Sequence, residues 1–151
     1  MIAVLLLAPS SLLMGQGDST SCIAEHYKVI ALPLQPARIN ETRQVAGTTT
    51  GHRAALWTEQ SGLREVPLPA GFYNSEGVAV NNFGHLTGVV YDRTFSKHQA
   101  FTFANDVLIL LAGEQARSYD INDSEIVGES LLPGMKTTGP VSWNKNTIRL
   151  V

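Results

Sequence analysis

The chain has 151 residues, enough for one domain with a sizeable core. Its 44% hydrophobic content and net charge of −2 exclude a disordered polyelectrolyte. The 11 Lys and Arg are scattered, which leaves no basic footprint for nucleic acid, and at 16% the charged fraction is low for a globular domain. Thr, Ser, Gly and Asn fill the surface positions instead.

The N-terminus carries a broken apolar run, Ile2 to Ala8 and then Leu12-Leu13-Met14, ending in Gly15-Gln16-Gly17. Small residues at Gly15 and Gly17 meet the small-x-small requirement of signal peptidase. Residues 1–17 therefore read as a signal peptide, and the protein is expected to be secreted or periplasmic. Pro9-Ser10-Ser11 interrupts the run, so no stable membrane span is expected. No Lys or Arg precedes Lys28, which leaves two alternatives open: a start inside a longer signal, or a buried strand. Residues 18–26 form a polar connector holding the single cysteine, Cys22, which cannot close an intramolecular disulfide.

From residue 27 onward, short apolar strands alternate with turn signals and helical periodicity is almost absent. The segments recur in three units with a step of 41 residues. A first strand ends at Ile39, Val80 or Ile121, and an Asn follows at 40, 81 or 122. Asn opens a tight turn by bonding its own backbone two residues on. In the second copy Gly84 stands where a positive φ is expected; the first copy has Arg43 there, and the third turn is one residue shorter. A second strand then runs to Gly47, Gly88 or Gly128. A third strand places Trp57, Phe103 and Trp143 at equivalent positions, where they are expected to form the core between units. A fourth occupies 63–68, 107–110 and 147–150, and 27–32 looks like one more copy of it.

Antiparallel four-strand units of about 40 residues are how β-propeller blades look in sequence. The expected fold is all-β, with about three propeller-type blades near 27–68, 69–110 and 111–151. Three blades do not close a ring that takes four to eight. An open or incomplete ring follows, whose edges must be covered by self-association or by further blades.

The units Ile-Asn-x-x-Gly-x-(Val/Leu/Ile)-x-Gly and His-x-Ala-(Phe/Ala)-x-(Trp/Phe) resemble the extracellular HAF repeat, named for its His-Ala-Phe signature. The clearest matches are Ile121 to Gly128 and His98-Gln99-Ala100-Phe101-Thr102-Phe103. The resemblance covers about residues 27–151. Departures are His52-Arg-Ala-Ala, which lacks the Phe, and Thr138-Gly-Pro-Val in the third copy. The resemblance implies a bacterial, exported, propeller-like repeat protein, and the family lends no common activity or site.

No catalytic constellation stands out: a nucleophile elbow, phosphate loop, dinucleotide fingerprint and zinc-protease helix are all absent from the sequence. His52 and His98 are equivalent across units, which favours a structural role over a shared metal. Asp120, Asn122, Asp123 and Glu125 lack the spacing of a calcium loop and read as a hairpin turn. The sequons at Asn40 and Asn122 coincide with the repeat turn. No catalytic, cofactor or metal residue is assigned. The expected function is an exported non-catalytic scaffold or binding module of unknown ligand. The alternatives are part of a propeller-type carbohydrate-active enzyme, or a truncated piece of a longer repeat protein.

Overall fold

The computed structural model describes residues 3–5, 28–144 and 147–150. The connector at 18–26, Cys22 and most of the expected leader lie outside the described residues. Among the described residues every regular element is a strand, and twelve of them form three antiparallel sheets. The first sheet holds β3 (Gln35–Ile39), β4 (Val45–Thr48), β5 (Ala54–Thr58) and β6 (Gly62–Glu65). The second holds β7 (Asn74–Val80), β8 (Leu86–Tyr91), β9 (His98–Ala104) and β10 (Val107–Leu110). The third holds β11 (Glu114–Ile121), β12 (Glu125–Leu131), β13 (Gly139–Asn144) and β14 (Thr147–Leu150). Each is a meander of consecutive strands, and none closes on itself.

A further pair, β1 (Ala3–Leu5) with β2 (Ile30–Leu32), stands apart from these sheets. Strand β1 lies inside the stretch expected to be a signal peptide. Its pairing aligns Ala3 with Leu32. The backbone N–H groups of Val66 and Leu111 bond Ala54 and Ala100 in the same sense.

A defect repeats in the first strand of every sheet. Pairing skips one residue at Ala37, Val78 and Tyr119, each 41 residues from the last. Each is a β-bulge, which bends its strand and turns nearby carbonyls out of the ladder. Gly47, Gly88 and Gly128 pair with the residue just before the bulge, Pro36, Gly77 and Ser118. A Cβ at any of them would drive into the carbonyl oxygen of Gln35, Glu76 or Arg117. The repeated glycine is therefore a steric requirement of the bulge.

The core lies between sheets. Ala46, Ala54 and Val66 of the first unit face Val80, Leu86, Val90, Phe101 and Phe103 of the second. Ala100 of the second meets Ala116, Ile126, Val141 and Trp143 of the third. Leu32 and Leu34 cover Val45, Ala55 and half-buried Trp57 on the first sheet. Each sheet offers a face of small residues to a face of large ones on the next. Burial of each large side chain contributes roughly 1.5–3 kcal/mol. Trp143 also donates its indole N–H to the Ala112 carbonyl at 2.8 Å, so its polar edge is satisfied.

Candidate functional site

The first strands β3, β7 and β11 end side by side, and the three Asn turns cluster there. Each Asn carboxamide works in two directions. Its oxygen caps its own turn: Asn40 Oδ1 accepts from Gln44 N at 2.8 Å. Asn81 Oδ1 accepts from Phe83 N at 3.1 Å and His85 N at 2.9 Å. Asn122 Oδ1 accepts from Ser124 N and Glu125 N, both at 2.8 Å.

The carboxamide nitrogen reaches forward to the next unit. Asn40 Nδ2 donates to the Asn81 carbonyl at 2.7 Å, and Asn81 Nδ2 to the Asn122 carbonyl at 3.1 Å. The result is a ladder running head to tail through the sheets with the 41-residue step. A carboxamide offers an acceptor for the turn and, on a separate atom, a donor for the neighbour. Asn81, in the middle, is 5% exposed. Glu41 N–H adds a parallel rung to Asn82 Oδ1 at 3.1 Å.

The turns differ in shape. Gly84 has φ +78° and Arg43 takes φ +63° at the matching position, an unfavourable conformation for a side chain. The shorter third turn closes with Asn122 N–H bonding Glu125 O, three residues on; the first two turns close four residues on.

The ladder frames an open cavity of about 330 Å³ lined by residues from all three first strands. Arg38 and Asp120 meet across it at 2.9 Å, both about half exposed, so the pair contributes less than about 1 kcal/mol. Glu41 and Asp123 add two carboxylates, and Asn82 adds a carboxamide. One guanidinium thus faces three carboxylates, an arrangement rich in hydrogen-bond acceptors. An adjoining cavity of about 310 Å³ runs from Asn81 and Asn122 towards Ile109, Leu111 and Trp143.

The repeat positions separate into three groups. Asn40, Asn81 and Asn122 meet at this mouth; Gly47, Gly88 and Gly128 lie within the sheets opposite the bulges; Phe103 and Trp143 are buried between sheets. His52 precedes β5 in a turn with φ +56°, whereas His98 opens β9. The acidic cluster at 120–125 divides its roles: Asp120 bridges to Arg38, Asn122 caps its turn, and Asp123 lines the mouth. Among the described residues no group of three or more His, Cys, Asp or Glu is placed to hold a metal ion. No helix among them is long and apolar enough to cross a membrane.

Sequence reasoning missed Arg38, Glu41 and Asn82. A signal for the first was present: Arg38, Ala79 and Asp120 share one repeat position, and opposite charges at that position meet when the strands converge. The chain matches no family model, no curated protein and no solved structure.

Proposed function

We propose that this chain is an exported, non-catalytic β-repeat module, built of about three propeller-type blades of the HAF kind, that binds a polar ligand at the Asn mouth. The observation that carries this reading is the ladder from Asn40 through Asn81 to Asn122. It commits the most regular polar residues to holding three strand ends together and leaves Arg38, Glu41, Asn82 and Asp123 to face the cavity. Acceptor-rich linings of this size suit a hydroxyl-bearing ligand better than an anion.

A glycan and substrate array probed with the purified protein tests the reading. The expected result is saturable binding without turnover, weakened by Glu41→Gln together with Asp123→Asn. Turnover of any substrate would overturn it in favour of the carbohydrate-active enzyme. Binding unaffected by the double substitution would remove the mouth as its location.

A further inference from the structure

We propose that the outer edge of the second sheet, strand β10, pairs with β10 of a second copy of this chain about a two-fold axis at Ile109. Among the described residues β10 ends its sheet and pairs only with β9. The two-residue loop Asn105-Asp106, with φ +50° and +66°, closes this hairpin at the pair Ala104 and Val107. Hydrogen-bonded and non-hydrogen-bonded pairs alternate along an antiparallel ladder. The Leu111 N–H bonds the Ala100 carbonyl at 2.9 Å, which sets the phase of that alternation. Val107, Ile109 and Leu111 therefore turn their backbone groups to β9, while Leu108 and Leu110 turn theirs outward.

The outer edges of the three sheets differ in what guards them. Charged side chains on an edge strand are a common obstacle to pairing with another chain. Strand β6 carries Arg64 and Glu65, and β14 carries Arg149. Strand β10 reads Val107-Leu108-Ile109-Leu110 and carries no charge. Val107 is 56%, Ile109 57% and Leu110 39% exposed, so apolar side chains flank the outward backbone groups. Asp106, the charge next to the strand in sequence, is already paired with Arg64 of the first sheet.

The order of residues selects the occupant. Leu108-Ile109-Leu110 reads the same in both directions. A two-fold axis at Ile109 runs the strands antiparallel, with Leu108 opposite Leu110 of the second copy and Ile109 opposite its own counterpart. Both Leu pairs bring outward N–H and C=O groups together, and each such pair exchanges two hydrogen bonds. Val107 then meets Leu111 of the second copy and Asp106 meets Ala112, so like charges do not stand opposite each other. An unrelated extended segment would gain the backbone bonds and match the side chains only by chance. Each copy has one uncharged edge of this kind, so the pairing closes as a dimer and does not propagate. Strand β7, which reaches the Asn mouth, is the opposite edge of the same sheet. The dimer therefore stands or falls independently of the mouth.

Sedimentation velocity of the full-length protein tests the proposal, in a Cys22→Ser background that keeps the single native thiol out of the experiment. The expected result is a monomer–dimer equilibrium near roughly 0.1 mM, since one short strand pair lies at the small end of specific interfaces. Ile109→Lys sets two ammonium groups against each other at the axis and should weaken association about tenfold or more. Leu110→Pro removes an outward N–H that β9 does not use and should weaken it likewise; melting curves check that both variants fold. Ile109→Cys should cross-link to its counterpart under mild oxidation, because a non-hydrogen-bonded pair brings Cα atoms to about 4.5 Å, within disulfide reach. Val107→Cys, away from the axis, should not. A monomer throughout, a dimer unmoved by Ile109→Lys, or equal cross-linking at both positions would each overturn the proposal. So would a monomer whose Leu108 and Leu110 amides shift only when an apolar peptide is added, which would give the edge to a foreign strand.

Discussion

Replacing Asn81 by Ala removes the centre of the ladder, and its cost can be built bond by bond. The substitution strips the acceptor from Phe83 N–H and His85 N–H and the donor from the Asn122 carbonyl. At about 1 kcal/mol net for each neutral hydrogen bond, the loss is about 3 kcal/mol, a fall in Tm of about 10 °C for a chain of this length. Asn122→Ala supplies the control. It removes the two turn bonds at an exposed position, where water replaces the lost acceptor, so the cost should be about 1 kcal/mol. Asn81→Asp separates the two functions, since it keeps the turn acceptor and loses the donor. At neutral pH it sets a carboxylate against the Asn122 carbonyl, and protonation in acid should restore part of the stability. Urea denaturation of the three variants measures the series. Equal losses for Asn81→Ala and Asn122→Ala would refute an energetic role for the bond between sheets.

Gly88→Ala should cost about 3 kcal/mol or more, because its Cβ would enter the Glu76 carbonyl and stand 2.7 Å from the Phe101 ring in a core without slack. Gly84→Ala should cost only about 1 kcal/mol, the positive-φ penalty, since its Cβ meets the movable end of Gln44 at 2.9 Å; thermal melts of the pair check the contrast. Burial, aided by the Glu76 carboxylate, pushes the Tyr91 phenol up to about 12. The unfolded chain ionises this group near pH 10 while the folded chain keeps its proton, so stability falls between about pH 10 and 12, by on the order of 2 kcal/mol. Tyr91→Phe should remove that part of the alkaline loss in denaturation curves taken across this range. Trp143→Phe should cost about 1–2 kcal/mol by leaving the Ala112 carbonyl without its partner, read from the same curves.

The strand plan was legible because sequence periodicity reports burial directly. The strands before the Asn turns end at Ile39, Val80 and Ile121, directly before the turn-forming Asn. Phe103 and Trp143 stand out as core residues for the same reason, since a large apolar side chain at a repeated position has few other uses. The bulges at Ala37, Val78 and Tyr119 were not legible, because an extra residue in one strand leaves no mark on composition. Their indirect sign was the glycine opposite, which without coordinates looks like any turn or strand end. The turn role of Asn could be read locally, but the bond from Asn40 to the Asn81 carbonyl depends on how neighbouring sheets meet. Arg38 with Asp120, and Glu76 with Tyr91, are likewise pairs between strands far apart in sequence.

The asparagines spaced by 41 residues interlock consecutive sheets, beyond capping their own turns. Hydrogen exchange of the Asn side-chain amides tests it most directly, because the bond in question belongs to Nδ2. Slow exchange is expected at Asn40 and Asn81, whose Nδ2 groups donate to the next unit, and fast exchange at exposed Asn122, whose Nδ2 has no acceptor among the described residues. Equal exchange at all three would contradict it and reduce the repeat to three independent turns.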